Sequence, residues 1–227
     1  MDLSLLPQAI VSGVLASGLY ALVSVGLALA IGVIGIVNFA HGEFFMVGAF
    51  LAYQLFVGFG FDPLLSLLFV APALAVIGAL IYLSSIRFVL RAPELNQMLL
   101  TFGIGIILQN LALLIWGGDP RTIANVPYRS LGFQVGGVSI GAVPLGSFVI
   151  SLVLVAGLYW MLASTPLGRA MRAVAQNRIG AGLVGLEVDR VYLVAFALSA
   201  LLAGLGGVMI GVIQSPTPTV GLGFTLK

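Results

Sequence analysis

The run Asn38-Phe-Ala-His-Gly-Glu43 places the only histidine of the chain two residues before a carboxylate and three after an asparagine amide. Asn38 offers both a donor and an acceptor, His41 donates or accepts while neutral, and Glu43 accepts from an ammonium. These are groups for holding a small polar solute or for relaying a proton. They lie within an almost uncharged apolar stretch from Leu3 to Phe61, and ionisable side chains in such a setting are expensive in hydrocarbon and mark functional positions. On a regular helix two residues' separation turns His41 and Glu43 about 160° apart, so they cannot share one face. The spacing favours Asn38 and Gly42, four apart, on one surface, with His41 or Glu43 pairing with a neighbouring helix. A second reading is open: the cluster marks the cytoplasmic end of a span, where it meets water or a partner helix.

The elements that must position this cluster are membrane helices. Of 227 residues 61% are hydrophobic and 7% charged, with a mean hydropathy of +1.22. That composition excludes a water-soluble domain. Several windows reach the roughly 20 apolar residues that a bilayer-crossing helix needs, and their continuity excludes the alternating pattern of barrel strands. The expected fold is all-α, a single polytopic transmembrane domain over 1–227. Its six spans lie near 9–30, 39–59, 64–86, 95–117, 143–163 and 191–213. Asp2 is the only charge before the first span, and no basic region precedes it. The pattern is not that of a cleavable signal peptide, so the first span stays in the membrane. With no cysteine, disulfides and thiolate metal sites are excluded. No catalytic or metal-ligating residue is assigned.

Basic residues collect in short cytoplasmic loops. An external N-terminus puts Arg87, Arg91, Arg169, Arg172, Arg178 and Arg190 inside, against Arg121, Arg129 and Lys227 outside. The Gly/Pro-rich loop 118–142 is then external, and the loop 164–190 is cytoplasmic. In the latter, Thr165 is placed to cap a helix with Pro166 in its first turn. Leu167, Met171 and Val174 fall on one side of that helix, with Arg169, Arg172 and Gln176 on the other. Gly180, Gly182 and Gly185 weaken helicity by about 1 kcal/mol each and predict a turn. The short helix either lies on anionic headgroups or docks a cytoplasmic partner.

The apolar connection 31–37 joins two spans without a polar loop. Gly32 and Gly35 permit a bend there, and Asn38 is placed to cap a helix beginning at Phe39. A break of this kind is tolerated only inside protein or beside water, and a half-helix N-terminus suits a carboxylate or carbonyl. In the fourth span Gln97, Thr101, Gly105 and Gln109 form a ridge at four-residue spacing, which either glues helices or lines a pathway. In the sixth, Ser199, Ala200, Ala203, Gly204 and Gly207 read as a packing surface.

The segment Gly32-Val-Ile-Gly-Ile-Val-Asn-Phe-Ala-His-Gly-Glu-Phe-Phe-Met-Val-Gly-Ala-Phe50 resembles the signature of the first permease subunit of bacterial branched-chain amino acid ABC importers. Thr101-Phe-Gly-Ile-Gly-Ile-Ile-Leu-Gln-Asn110 and Trp116-Gly-Gly-Asp-Pro120 are similar to that family as well. So are Gly168-Arg-Ala-Met-Arg-Ala-Val-Ala-Gln-Asn-Arg178 and Gly185-Leu-Glu-Val-Asp-Arg190, its coupling segment. The resemblance covers essentially the whole chain. Such permeases usually carry about eight spans of some 20 residues, so the chain reads as truncated relative to them.

The resemblance implies a second related permease subunit, two cytoplasmic ATPases and an extracytoplasmic solute-binding protein, all at the bacterial inner membrane. It implies no nucleic-acid partner. No cofactor is expected on this chain: a P-loop needs a lysine after its glycines, and Lys227 is the only one. ATP is then hydrolysed by partner subunits. Asn38, His41, Gly42, Glu43, Thr101, Gln109 and Asn110 are the candidate substrate pathway. Arg169, Arg172, Gln176, Asn177 and Arg178 are the candidate ATPase contacts. The alternatives are a urea or short-amide permease of the same family and, from other classes, a proton-coupled carrier or a passive solute channel.

Overall fold

The computed structural model describes residues 6–123, 126–218 and 220–221. Six helices in it are long and apolar enough to cross a membrane: α1 Leu6–Ile34, α2 His41–Phe59, α3 Leu67–Val89, α4 Glu94–Trp116, α5 Ala142–Ser164 and α8 Val188–Ile213. Two short helices, α6 Pro166–Gln176 and α7 Arg178–Leu183, lie between α5 and α8. They mark one end of the bundle. The other end carries an antiparallel hairpin, β1 Gly132–Val135 and β2 Val138–Gly141. Its turn residues Gly136 and Gly137 have φ of 57° and 84°, values that glycine adopts freely and that suit a tight two-residue hairpin.

The all-α polytopic expectation holds, with each span within a few residues of its predicted place. Three local expectations are corrected. Gly32 does not bend the chain: α1 runs through it to Ile34, and the break falls at 35–40, entered through Gly35 at φ 83°. Asn38 does not cap a helix at Phe39. The helix begins at His41, and Asn38 Oδ1 instead accepts from the amide of Ala40 at 3.1 Å. The stretch after α6 is not a simple turn. Asn177 Oδ1 accepts from the amides of Ile179 and Gly180 at 3.1 and 2.9 Å and starts α7. That cap outweighs the modest helix penalty of the glycines, and the turn comes only at Gly185, φ 87°.

The most enclosed helix is α8, flanked by α1, α2 and α3. Small residues set those contacts. A Cβ on Gly207 would stand 1.8 Å from the carbonyl oxygen of Phe45, and one on Gly48 would stand 2.2 Å from that of Gly204. On the third side, a Cβ on Gly78 would lie 2.6 Å from Ala200 Cβ. Backbones approach this closely only where side chains are absent. The stripe Ser199, Ala200, Ala203, Gly204 and Gly207 is thus the packing surface of α8. The outer faces of α4 and α5 expose large apolar residues such as Leu99, Leu114, Val153 and Trp160, as surfaces facing lipid do.

The break at 35–40 is held from α4. Thr101 Oγ1 accepts from the amide of Phe39 at 3.2 Å and donates within its own helix to the carbonyl of Met98 at 3.0 Å. At the hairpin end, the Gln8 amide pairs with both backbone groups of Ser139, at 3.0 and 2.8 Å. Tyr128 donates to Asp62 at 3.0 Å, and burial together with that carboxylate raises its pKa above the ordinary tyrosine value. At the opposite end, Thr165 Oγ1 accepts from the amide of Gly168 at 3.1 Å and caps α6. A Cβ on Gly168 would stand 2.2 Å from the carbonyl oxygen of Leu162, so α6 folds back tightly on α5.

Two stability effects follow. Gly207→Ala forces α2 and α8 apart, and the melting temperature of the detergent-purified protein should fall by an amount equivalent to about 1–3 kcal/mol of overpacking. Gly157→Ala, where an added Cβ meets nothing within 4 Å, should not lower it, because alanine favours a helix over glycine. Thr101→Val strips the half-buried Phe39 amide of its acceptor, a loss of about 1–3 kcal/mol. Hydrogen exchange should then lose its protection at Phe39, and Thr101→Ser should restore it.

Candidate functional site

The start of α2 lies deep in the bundle. His41, its first residue, touches the eighteenth residue of α1 and the twelfth of α8: Nε2 lies 2.9 Å from the carbonyl oxygen of Val23, and Nδ1 lies 3.4 Å from Ser199 Oγ. Ser199 is eleven residues into a 26-residue helix, roughly 16 Å along its axis at 1.5 Å per residue. The chain therefore descends from the end of α1 at Ile34 to mid-depth before α2 begins. The carbonyl of Val23 can only accept, so Nε2 carries the proton and Nδ1 is left to accept from the Ser199 hydroxyl. Both ring nitrogens are used in joining three helices.

Asn38, His41 and Glu43 are each 1% exposed, so of the two surroundings expected for a span end, water or a partner helix, the cluster meets neighbouring helices. His41 and Glu43 diverge, as their spacing requires. His41 faces α1 and α8, whereas Glu43 faces α4: its Cγ lies 3.5 Å from where a Cβ of Gly105 would be. A cavity of about 120 Å³ opens beside Glu43, lined by Phe39, Phe102, Gly105, Ile106 and Gln109. On its other side Glu43 meets the chain after α8, where a Cβ on Gly221 would come within 2.6 Å of Oε2.

Two buried side-chain atoms in this cluster have no hydrogen-bond partner among the described residues: Asn38 Nδ2, a donor, and Glu43 Oε2, an acceptor. The amides at the helix start are already spoken for. Ala40 N bonds to Asn38 Oδ1, His41 N to the Asn38 carbonyl, and Glu43 N and Phe44 N to the Ala40 carbonyl. Polarity there is presented chiefly by the side chains of Asn38 and Glu43.

The remaining pathway candidates divide. Gln109 lines the cavity beside Glu43. Thr101 is fully buried and clamps the break. Asn110 is exposed, and its amide donates back to the carbonyl of Ile106 at 2.8 Å, so the structure separates it from the cluster. Gly42 is buried within α2. Ser199 and the Val23 carbonyl belong to the site and escaped the reading of the sequence. For Ser199 the signal was present, a lone hydroxyl in a stripe of small residues. A backbone carbonyl leaves none.

At the other candidate surface, α6 buries Gly168, Met171 and Val174 and exposes Arg169, Arg172 and Gln176. Arg169 and Arg172 donate to the terminal carbonyls of α5, Ser164 at 3.3 Å and Ala163 at 3.4 Å. Asn177 is exposed, but its side-chain oxygen is committed to capping α7. At the hairpin end a cavity of about 350 Å³ lies between α1, α5 and α8, with Ser12, Tyr20, Ser147 and Gln214 in its wall.

Residues 9–227 match the family model described as the branched-chain amino acid transport system permease component. The chain is 30% identical to the high-affinity branched-chain amino acid transport system permease protein BraD of Pseudomonas aeruginosa, covering 96% of this chain and 74% of that protein. It is 29% identical to the corresponding protein LivH of Escherichia coli, over 90% of this chain and 70% of that one. A shorter match, 33% identical over 61% of the chain and 38% of the relative, links it to the autoinducer 2 import system permease protein LsrC of Klebsiella pneumoniae. No solved structure matches. With six membrane-crossing helices and a family match over nearly its full length, this multi-pass chain belongs to the permease components of branched-chain amino acid transport systems.

Proposed function

We propose that this permease component passes branched-chain amino acids toward the cytoplasm along a path that skirts the start of α2, driven by ATP hydrolysis on separate subunits seated against α6. The observation that carries the substrate reading is a pair of buried atoms, Asn38 Nδ2 and Glu43 Oε2, that have no hydrogen-bond partner among the described residues. A donor suits an α-carboxylate and a carboxylate suits an α-ammonium. The surrounding walls are apolar, as an aliphatic side chain requires. A urea or short amide would use Asn38 yet leave Glu43 without a cation, so the zwitterion is preferred. A proton carrier is disfavoured because both nitrogens of His41 are engaged by Val23 and Ser199, away from Glu43.

The positive-inside bias orients the molecule. Arg87, Arg91, Arg169, Arg172, Arg178 and Arg190 gather at the end bearing α6, against Arg121 and Arg129 at the hairpin end. The α6 end is then cytoplasmic and the N-terminus external. A solute-binding protein would deliver to the hairpin end, above the cavity at Tyr20 and Gln214. A second, related permease would cover the mouth beside Glu43, where Phe102 and Ile106 are exposed. Two ATPases complete the importer, in the bacterial inner membrane. Arg169, Arg172 and Gln176 would meet an ATPase.

Two experiments test this in the assembled transporter. Glu43→Gln should weaken the substrate interaction by the value of a charge-assisted hydrogen bond, about 1.5–3 kcal/mol or at least tenfold in uptake efficiency, with protein yield unchanged. Uptake equal to the parent would remove Glu43 from the path. The double change Arg169→Glu and Arg172→Glu should abolish both uptake and copurification of the ATPases while membrane insertion persists. Retained uptake would show that α6 is not the docking element.

A further inference from the structure

We infer that the recess between the end of α3 and the α7–α8 junction is a binding site for the phosphate of an anionic phospholipid headgroup. Arg87 and Arg91 enter it from the end of α3 and Arg178 from the first turn of α7, around a cavity of about 480 Å³. Segments some ninety residues apart thus bring three guanidinium groups to one place. The only carboxylate in its wall, Asp189, accepts from the Tyr82 hydroxyl at 2.6 Å. Among the described residues the one ion pair is Arg190 with Glu187, at 2.6 Å, so Arg87, Arg91 and Arg178 have no carboxylate partner there. Three positive groups facing one negative group leave a surplus that an anion relieves. Guanidinium forks match phosphate oxygens two at a time, which an isolated ammonium does not.

The position selects a lipid over a soluble anion or an acidic protein segment. The recess adjoins a surface that faces hydrocarbon: Phe88 is 66% exposed, Leu80 59% and Leu83 38%. The Arg87 guanidinium lies 4.6 Å above the Phe88 ring, so charge meets apolar surface at the depth where a headgroup joins its acyl chains. The floor is itself partly apolar, from Leu90, Val188 and Tyr192. Basic pockets between membrane helices are known to hold anionic headgroups. The lipid would tie α3 to the element that follows α6, and it takes Arg178 out of the set of ATPase contacts. None of this depends on the identity of the transported solute.

Native mass spectrometry of the detergent-purified transporter, titrated with phosphatidylglycerol or phosphatidylcholine, tests the site. Retention of phosphatidylglycerol should exceed that of phosphatidylcholine, and each arginine near the surface should contribute about fivefold. Arg178→Gln alone should lower the preference by that factor, and Arg87→Gln, Arg91→Gln and Arg178→Gln together should erase it. Arg169→Gln with Arg172→Gln should leave it intact. Equal retention of both lipids by the parent would overturn the proposal, as would equal losses from the α6 pair. Complete displacement by millimolar inorganic phosphate would show a soluble-anion site instead. Appearance of the preference only after removal of the ATPases would assign the arginines to a protein contact.

Discussion

The backbone contact between α2 and α8 is the constraint on which the other features rest. Gly48 and Gly207 carry no Cβ where one would collide with the facing carbonyls of Gly204 and Phe45, so the two helices cross in main-chain contact. In lipid no hydrophobic effect drives helices together, and close packing with interhelical hydrogen bonds supplies the association. Fixing α2 against α8 fixes the height of His41 beside Ser199, and the Val23 carbonyl on α1 completes that joint. Because α8 also takes α3 and α1 on its remaining sides, one helix sets the geometry of the whole inner bundle.

From that crossing follows the re-entrant segment 35–40. An α2 that begins at mid-depth leaves six residues of non-helical backbone between the end of α1 and His41, whose polar groups need partners. The chain resolves this with local means. Asn38 folds its side chain onto Ala40, its carbonyl accepts from His41, and Thr101 reaches from α4 to the Phe39 amide. What these bonds leave over is Asn38 Nδ2 and Glu43 Oε2. Unpaired polar atoms in such surroundings are costly, and the proposed solute path is built on these two.

The α6 end obeys a different economy. Its helices are short and capped by Thr165 and Asn177, and α6 is amphipathic with Arg169 and Arg172 turned outward. A tight fold-back at Gly168 joins α6 to α5, so motion imposed on its arginine face would pass directly to a membrane helix. The neighbouring recess, with Arg87, Arg91 and Arg178, has the same charge but apolar surroundings.

The sequence by itself determined the number and placement of the spans, because apolar length is a property of consecutive residues. It also determined the Thr165-Pro166 helix start and the faces of α6, since caps and helical periodicity are local. Spacing alone separated His41 from Glu43. Only the tertiary structure decided that α1 persists through Gly32, that Asn38 turns back onto Ala40, that Thr101 is a clamp and that Asn110 lies apart. Each of those outcomes depends on what a neighbouring helix offers across the bundle, and pairings such as His41 with the Val23 carbonyl or Thr101 with the Phe39 amide leave no periodicity in the chain that encodes them.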